Sequence, residues 1–327
     1  MSDRGPAGVD AGGSVAQERP SLSVVVAPTR GGVILAGCLE ALAGQRDAPP
    51  TEVIVPVDAS VAGVESLRRA HPEVRFLEVA DSAELAASPR PGIAHLAIDR
   101  RRAAGLAAAR GDVVALTEEH ARPDPDWCRR LLLAHREPHA AIGGAIENSG
   151  DRTLNWALYF LDAGRYQNPL PEGPARYVSD VNVSYKRSAL EAVAPAWREI
   201  YHETGLHDAL RTRGGTLWLR PDLVVYQDRG AARLGPALRE RFAWARLYAG
   251  RRAREVPGPT RAMLVLGAPL LGGLLLLRQA RLALVRGRHR GAFLRALPLL
   301  ALFDAVWGLG ELVGYATGWP TPRDRAC

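Results

Sequence analysis

Lysine is almost absent: Lys186 is the only one, so 41 of the 42 basic residues are arginine. Cysteine is scarce as well. Cys38, Cys128 and Cys327 are scattered, odd in number and never spaced as CxxC. That implies neither a disulfide framework nor a cysteine-built zinc site, and it fits a reducing compartment. No apolar run stands near the N-terminus, so no secretory signal is expected. No internal repeat is visible. Residues 1–20 are small, polar and Gly-rich and read as a disordered tail, with a second short tail over 319–327.

What is present is enough apolar material for one large core or two smaller ones: 47% of 327 residues are hydrophobic. The net charge of +7 is unevenly placed. From Arg229 to Phe303 fifteen arginines face only Glu240 and Glu255, a local charge of +13, which leaves −6 for the rest. The basic part also carries the longest apolar runs. An anionic membrane surface is therefore the expected partner, and no nucleic-acid-binding motif argues for the alternative.

Leu22 to Ala27 is a short β-branched run that reads as a buried strand. Ile34, Leu35, Cys38, Leu39 and Leu42 then recur at helical spacing. Strands are expected at Glu52–Val57, Val74–Val79 and Asp112–Leu116, with helices at Val64–Ala70, Ile93–Arg110 and Asp126–Arg136. The alternation implies an α/β fold with a mostly parallel sheet flanked by helices, whose ligands bind at the carboxyl ends of the strands. Pro28-Thr29-Arg30, Asp58-Ala59-Ser60 and Glu118-Glu119-His120 stand at those ends. Beyond Ala140, helix is expected over Asp151–Asp162 and Ala196–Arg211, and strand over Tyr177–Tyr185 and Leu217–Gln227.

SVVVAPTR, EVIVPVDAS and RAAGLAAARGDVVALTEEHARPDPDW, in that order and spacing, resemble the N-terminal half of family 2 glycosyltransferases of GT-A fold. The resemblance covers about Ser21 to Asp228, so a GT-A-like domain is expected over 21–228. It implies inverting transfer of a sugar from a nucleoside-diphosphate sugar. Pro28, Thr29, Arg30, Asp58, Arg102 and Glu119 fall at donor-binding positions. Counting back from Pro123-Asp124-Pro125-Asp126-Trp127, the metal-facing positions become Glu118 and His120, where the family usually has aspartates. A carboxylate with a neutral imidazole suits a divalent cation, Mn²⁺ in preference to Mg²⁺. The family's acidic pair before a helix reading roughly LxxRLxxxG becomes His202-Glu203, which makes Glu203 the catalytic base, with Asp208 in reserve. Asn182, Ser184 and His202 fall on the acceptor side.

The C-terminal third, 229–318, reads as an all-helical, membrane-associated module. Leu234–Arg254 is amphipathic, Met263–Leu277 carries no charge, and Ala292–Tyr315 is apolar but holds Asp304 and Glu311. Basic clusters flank the first apolar run on both sides. A single crossing would put one cluster outside, so an in-plane or re-entrant hairpin is favoured over two spans. The expected place is the inner (cytoplasmic) membrane with the catalytic domain facing the cytoplasm, the acceptor a polyprenyl-linked or cell-envelope glycan. A chain ending near Arg229 is expected to be soluble. Two rivals stand beside this reading: a catalytically silent sugar-nucleotide-binding scaffold, and a membrane-surface adaptor that binds no nucleotide.

Overall fold

The computed structural model describes residues 20–80, 82–87 and 91–318, and the tails expected over 1–20 and 319–327 lie outside these residues, Pro20 apart. The chain runs β1 (Leu22–Ala27), α1 (Gly32–Ala43), β2 (Thr51–Val57), α2 (Val64–Ala70), β3 (Arg75–Glu78), α3 (Ser82–Ala86), α4 (Pro91–Ala108), β4 (Val113–Glu118), β5 (Ala121–Pro123), α5 (Trp127–Ala134) and β6 (Ala141–Asn148). It continues through α6 (Thr153–Asp162), β7 (Gly173–Ala175), β8 (Asn182–Lys186), α7 (Arg187–Ala192), α8 (Glu203–Thr212) and β9 (Leu217–Gln227). Three helices follow: α9 (Leu234–Arg252), α10 (Gly258–Arg286) and α11 (Arg290–Thr317).

The strands form one mixed sheet in the order β3-β2-β1-β4-β8-β6-β9-β5, with β7 on β9. The N-terminal half, β3-β2-β1-β4, is wholly parallel. Beyond it β8 runs antiparallel between β4 and β6, and β9 runs parallel to β6. Every residue of β1 is buried, as an apolar run without alternation requires of a strand covered on both faces. Val24 and Val26 pack with Leu35, Leu39, Trp127 and Leu131 on one face. Val25 packs with Ala103, Leu106, Tyr185 and Leu206 on the other.

Two expected elements are shorter than their patterns. The strand expected from Tyr177 begins only at Asn182, because Asn182 N donates to Ser179 O at 3.0 Å and closes a turn there. The helix expected from Ala196 begins at Glu203, where the His202 side chain caps it. The apolar runs near the C-terminus grow into helices of 29 and 28 residues, each long and apolar enough to cross a membrane. They are not separate from the catalytic part. Ala292, Phe293, Ala296 and Leu300 of α11 share one core cluster with Ile146, Ala157, Tyr159 and Phe160. This shared cluster works against the expectation that a chain ending near Arg229 is soluble, since the cut would strip the cover from α6.

Candidate active site

The three strand-end segments meet. Arg30 N and Gly31 N donate to the Glu119 carboxylate at 2.9 and 2.7 Å. Gly32 N donates to Ala62 O at 2.8 Å, and Ala62 N to Arg30 O at 2.9 Å, so the loop after β1 also pairs with the loop after β2. Gly31 makes this possible. Its φ is +77°, and a Cβ there would stand 2.4 Å from Ala62 O. Asp58 is buried, and its oxygens accept from Ser60 N (2.8 Å), Ser60 Oγ (2.5 Å), Ser82 Oγ and Arg101 Nη1 (3.1 Å). Burial pushes this carboxyl up, but Ser60, Ser82 and Arg101 outweigh it and hold it below its ordinary value.

Beside these loops, Arg102 gathers acids from three segments. Its Nη1 lies 2.9 Å from Asp99, and its Nη2 lies 2.7 Å from Glu118 Oε1 and 2.8 Å from Asp180 Oδ2. Its guanidinium also sits over the Tyr201 ring at 5.6 Å. Glu203 stands across this cluster, at the first residue of α8, and its Oε2 accepts from Asp180 N at 3.2 Å. Burial first and the Asp180 charge second push the Glu203 carboxyl up to about 7. The same two causes raise Glu118. Two carboxylates with depressed acidity thus flank one buried arginine, an arrangement suited to proton transfer near neutral pH.

His120 lies beyond Glu118. Burial, and then the charges of Arg229, Arg30 and Arg122, push its imidazole down to about 4, so it is neutral at pH 7. Among the described residues, no cluster of three or more His, Cys, Asp or Glu is placed to hold a metal. Glu118 and His120 still offer the right donor chemistry. No hydrogen bond or ion pair among the described residues occupies Glu118 Oε2 or the His120 ring, and a neutral imidazole is the ligand form.

Several expected ligand-facing residues serve the scaffold instead. Asn182 and Ser184 do face alike, but into the core. Asn182 accepts from Trp127 Nε1 at 3.0 Å and donates to Ala145 O and Leu223 O at 2.9 Å each. Ser184 donates to Ile142 O and bonds to His135. Both are buried, because β8 is a central strand covered on both faces. Glu119 is fully buried and spends its carboxylate on the backbone of the loop after β1, so it shapes that loop. Asp58 likewise holds its own loop, and both terminal nitrogens of Arg102 are taken by carboxylates. The His202 ring accepts from Gly205 N at 3.2 Å, so it caps α8 and places Glu203. Pro28 is buried, whereas Thr29 and Arg30 are exposed at the loop tip. Asp208 points elsewhere, bound by Tyr177 and Arg211. Sequence reasoning misses Asp180, Arg101 and Arg229. Asp180 stands two residues before Asn182 in the YVSDVNVSYK segment, but only the turn at Ser179 brings it to Arg102.

The fold and site define an α/β protein with an acidic and arginine-rich centre at the carboxyl edge of a parallel half-sheet. The profile of glycosyl transferase family 2 matches residues 23–194, more than half of the chain, and the chain belongs to that family. It is a glycosyltransferase. Solved structures of similar fold include a mannosyltransferase, PcManGT, from Pyrobaculum calidifontis in complex with GDP-Man and Mn²⁺. It is 18% identical with a TM-score of 0.47, over 90% of this chain and 88% of that one. TarS 1–349 of S. aureus is 12% identical with a TM-score of 0.49, over 89% of this chain and 92% of that one. No curated protein sequence matches significantly.

Proposed function

We propose that the chain transfers a sugar with inversion from a nucleoside-diphosphate sugar to a polyprenyl-linked or cell-envelope glycan acceptor at the cytoplasmic face of the inner membrane. The observation that carries this is Glu203, raised to about 7 and bonded to Asp180 N, whose carboxylate shares Arg102 with Glu118. Glu203 takes the acceptor hydroxyl proton while that oxygen attacks the anomeric carbon. The bond to the diphosphate breaks on the opposite face, and the leaving oxygen keeps the electron pair. Thr29 and Arg30 meet the donor at the loop tip that Pro28 and Glu119 shape. Asp58 and Arg101 hold the neighbouring loop against it. Glu118 and His120 would hold a divalent cation, Mn²⁺ before Mg²⁺, which as a Lewis acid offsets the charge of the departing diphosphate.

The test is a thermal-shift titration of nucleoside diphosphates with Mn²⁺, with Mg²⁺ and with chelator, alongside assays of transfer and donor hydrolysis. Binding to the folded state raises the melting temperature by mass action. Mn²⁺ should enlarge the shift more than Mg²⁺ does, and His120→Ala should erase most of that gain. A shift indifferent to chelator removes the metal from the proposal. Nucleotide binding with neither transfer nor hydrolysis marks a silent sugar-nucleotide binder.

A further inference from the structure

The C-terminal hairpin is tied to the catalytic domain at its turn and to α9 at its other end. At its turn, Arg288 Nη1 and His289 Nε2 lie 2.9 and 3.1 Å from the two oxygens of Glu147, which is buried near the end of β6. Arg286 donates to the Pro169 carbonyl, and the His289 ring lies 4.8 Å from that of Trp156. Along its length α11 then packs first on α6, with the Phe293 and Phe160 rings 5.2 Å apart, and next on α9. A Cβ on Gly314 would stand 2.5 Å from the Arg246 carbonyl oxygen, so these helices touch backbone to backbone. A hairpin that crossed a bilayer would carry its turn some ~30 Å away, beyond the hydrocarbon core. This turn is bonded to the domain instead.

Outside α11 lies α10, which buries only Ala268 and Ala283. Met263, Leu266, Leu270, Leu274 and Leu277 recur every three or four residues and so share one face. That face is 62–78% exposed along its whole run. Arg278 and Arg281 continue it towards the turn, both exposed. From Gly258 to Phe303 there are seven arginines and no acid. An apolar stripe bordered by cations alone matches an anionic leaflet: acyl chains take the leucines and headgroups take the guanidinium groups.

We propose that α10 lies flat in the anionic leaflet as an in-plane anchor, with α11 as the strut that joins it to the catalytic domain. This rests on the membrane part of the proposed function and not on its chemistry. The 3-10 turn Gly164–Tyr166 packs on α10 and carries Arg165, whose charge acts on Glu203. The anchor helix therefore runs beside the turn next to Glu203, which brings a lipid-linked acceptor held in the leaflet close to the base.

Two measurements on the full chain test this. In flotation, the protein should rise with phosphatidylglycerol-containing vesicles. Recovery should fall at least tenfold with phosphatidylcholine alone, and equally for Leu266→Glu/Leu270→Glu, whose exposed positions leave the fold intact. For topology, Cys327→Ser is combined with either Arg290→Cys at the turn or Glu137→Cys on the catalytic domain, and an impermeant maleimide is applied to spheroplasts and to inverted membrane vesicles. Both cysteines should react in the inverted vesicles only. Labelling from opposite sides means that the hairpin spans, and overturns the in-plane anchor. Failure to float, with Leu266→Glu/Leu270→Glu turning a dimer into a monomer, reassigns the stripe to a second copy and overturns it too. Loss of sugar transfer with flotation and labelling intact counts against the proposed chemistry alone.

Discussion

Glu203 owes its raised carboxyl to burial and to neighbours that lie far from it in sequence. Arg102 and Arg165 favour its charged form, while burial and Asp180 oppose it and prevail. Tyr166, Tyr185 and Tyr201 also face it, and all three stay protonated because burial raises them. Glu203→Gln should lower turnover by roughly 10²- to 10⁴-fold, the usual contribution of a general base, with nucleotide affinity unchanged. Wild-type turnover in that variant takes Glu203 out of the mechanism. The pH dependence has a definite sign. A base raised to about 7 is mostly protonated below that value, so kcat should climb as pH rises through 7. Asp180→Asn removes a negative charge that opposes ionisation. The acidic limb should then move to lower pH while the plateau falls, because a weaker base accepts the proton less readily. A merely structural Asp180 would lower the rate and leave the limb where it was.

At the scale of elements, β6 and β9 show how backbone approach shapes the sheet beside the site. Gly144 sits at an irregularity in their pairing, and a Cβ there would stand 2.1 Å from Leu223 O and 2.4 Å from Asn182 Nδ2. Gly144→Ala should therefore lower stability by about 1–3 kcal/mol or more, as overpacking does. Chemical denaturation should show it as a lower midpoint, and an unchanged midpoint would mean that the two strands can part. Element boundaries were legible where pattern and packing agree. The spacing of Ile34, Leu35, Cys38, Leu39 and Leu42 predicts the buried face of α1, with Ile34 at its half-buried edge. It failed where a polar side chain cuts a pattern short. His202 starts α8 later than the apolar spacing suggests, and the turn at Ser179 delays β8.

In the whole molecule the C-terminal helices are structural members of the catalytic body. Arg229 and Arg241, from the connection after β9 and from α9, both pair with Asp162 at the end of α6, at 2.8 and 2.9 Å. Arg241 also lies over the Trp307 ring of α11, 4.9 Å from its centroid. A chain ended at Arg229 would uncover Ile146, Ala157, Tyr159 and Phe160. Each large apolar side chain returned to water costs about 1.5–3 kcal/mol, enough together to rival the stability of a domain. That truncation should aggregate or melt far below the full chain in calorimetry. A soluble, nucleotide-binding fragment with the full chain's melting temperature would show that the helices merely rest on the domain.

The order of β-branched runs and helical spacings determined the α/β architecture, because strand and helix periodicity and the carboxyl-edge rule act over short stretches of chain, while the family and the proposed base Glu203 came from the resemblance of the motifs. The basic, apolar C-terminus likewise followed from composition. Which polar residues meet a ligand was decided by tertiary structure. Asn182, Ser184, Glu119 and Asp58 carry the same side-chain chemistry wherever they point, and only packing turns them toward the core or the loops. Asp180 and Arg101 enter the site for the converse reason: their partners lie 78 and 43 residues away, a distance that no local pattern encodes. The lie of the hairpin is of the same kind. Hydropathy measures how apolar a helix is, whereas the bonds from Arg288 and His289 to Glu147 decide where its turn can be.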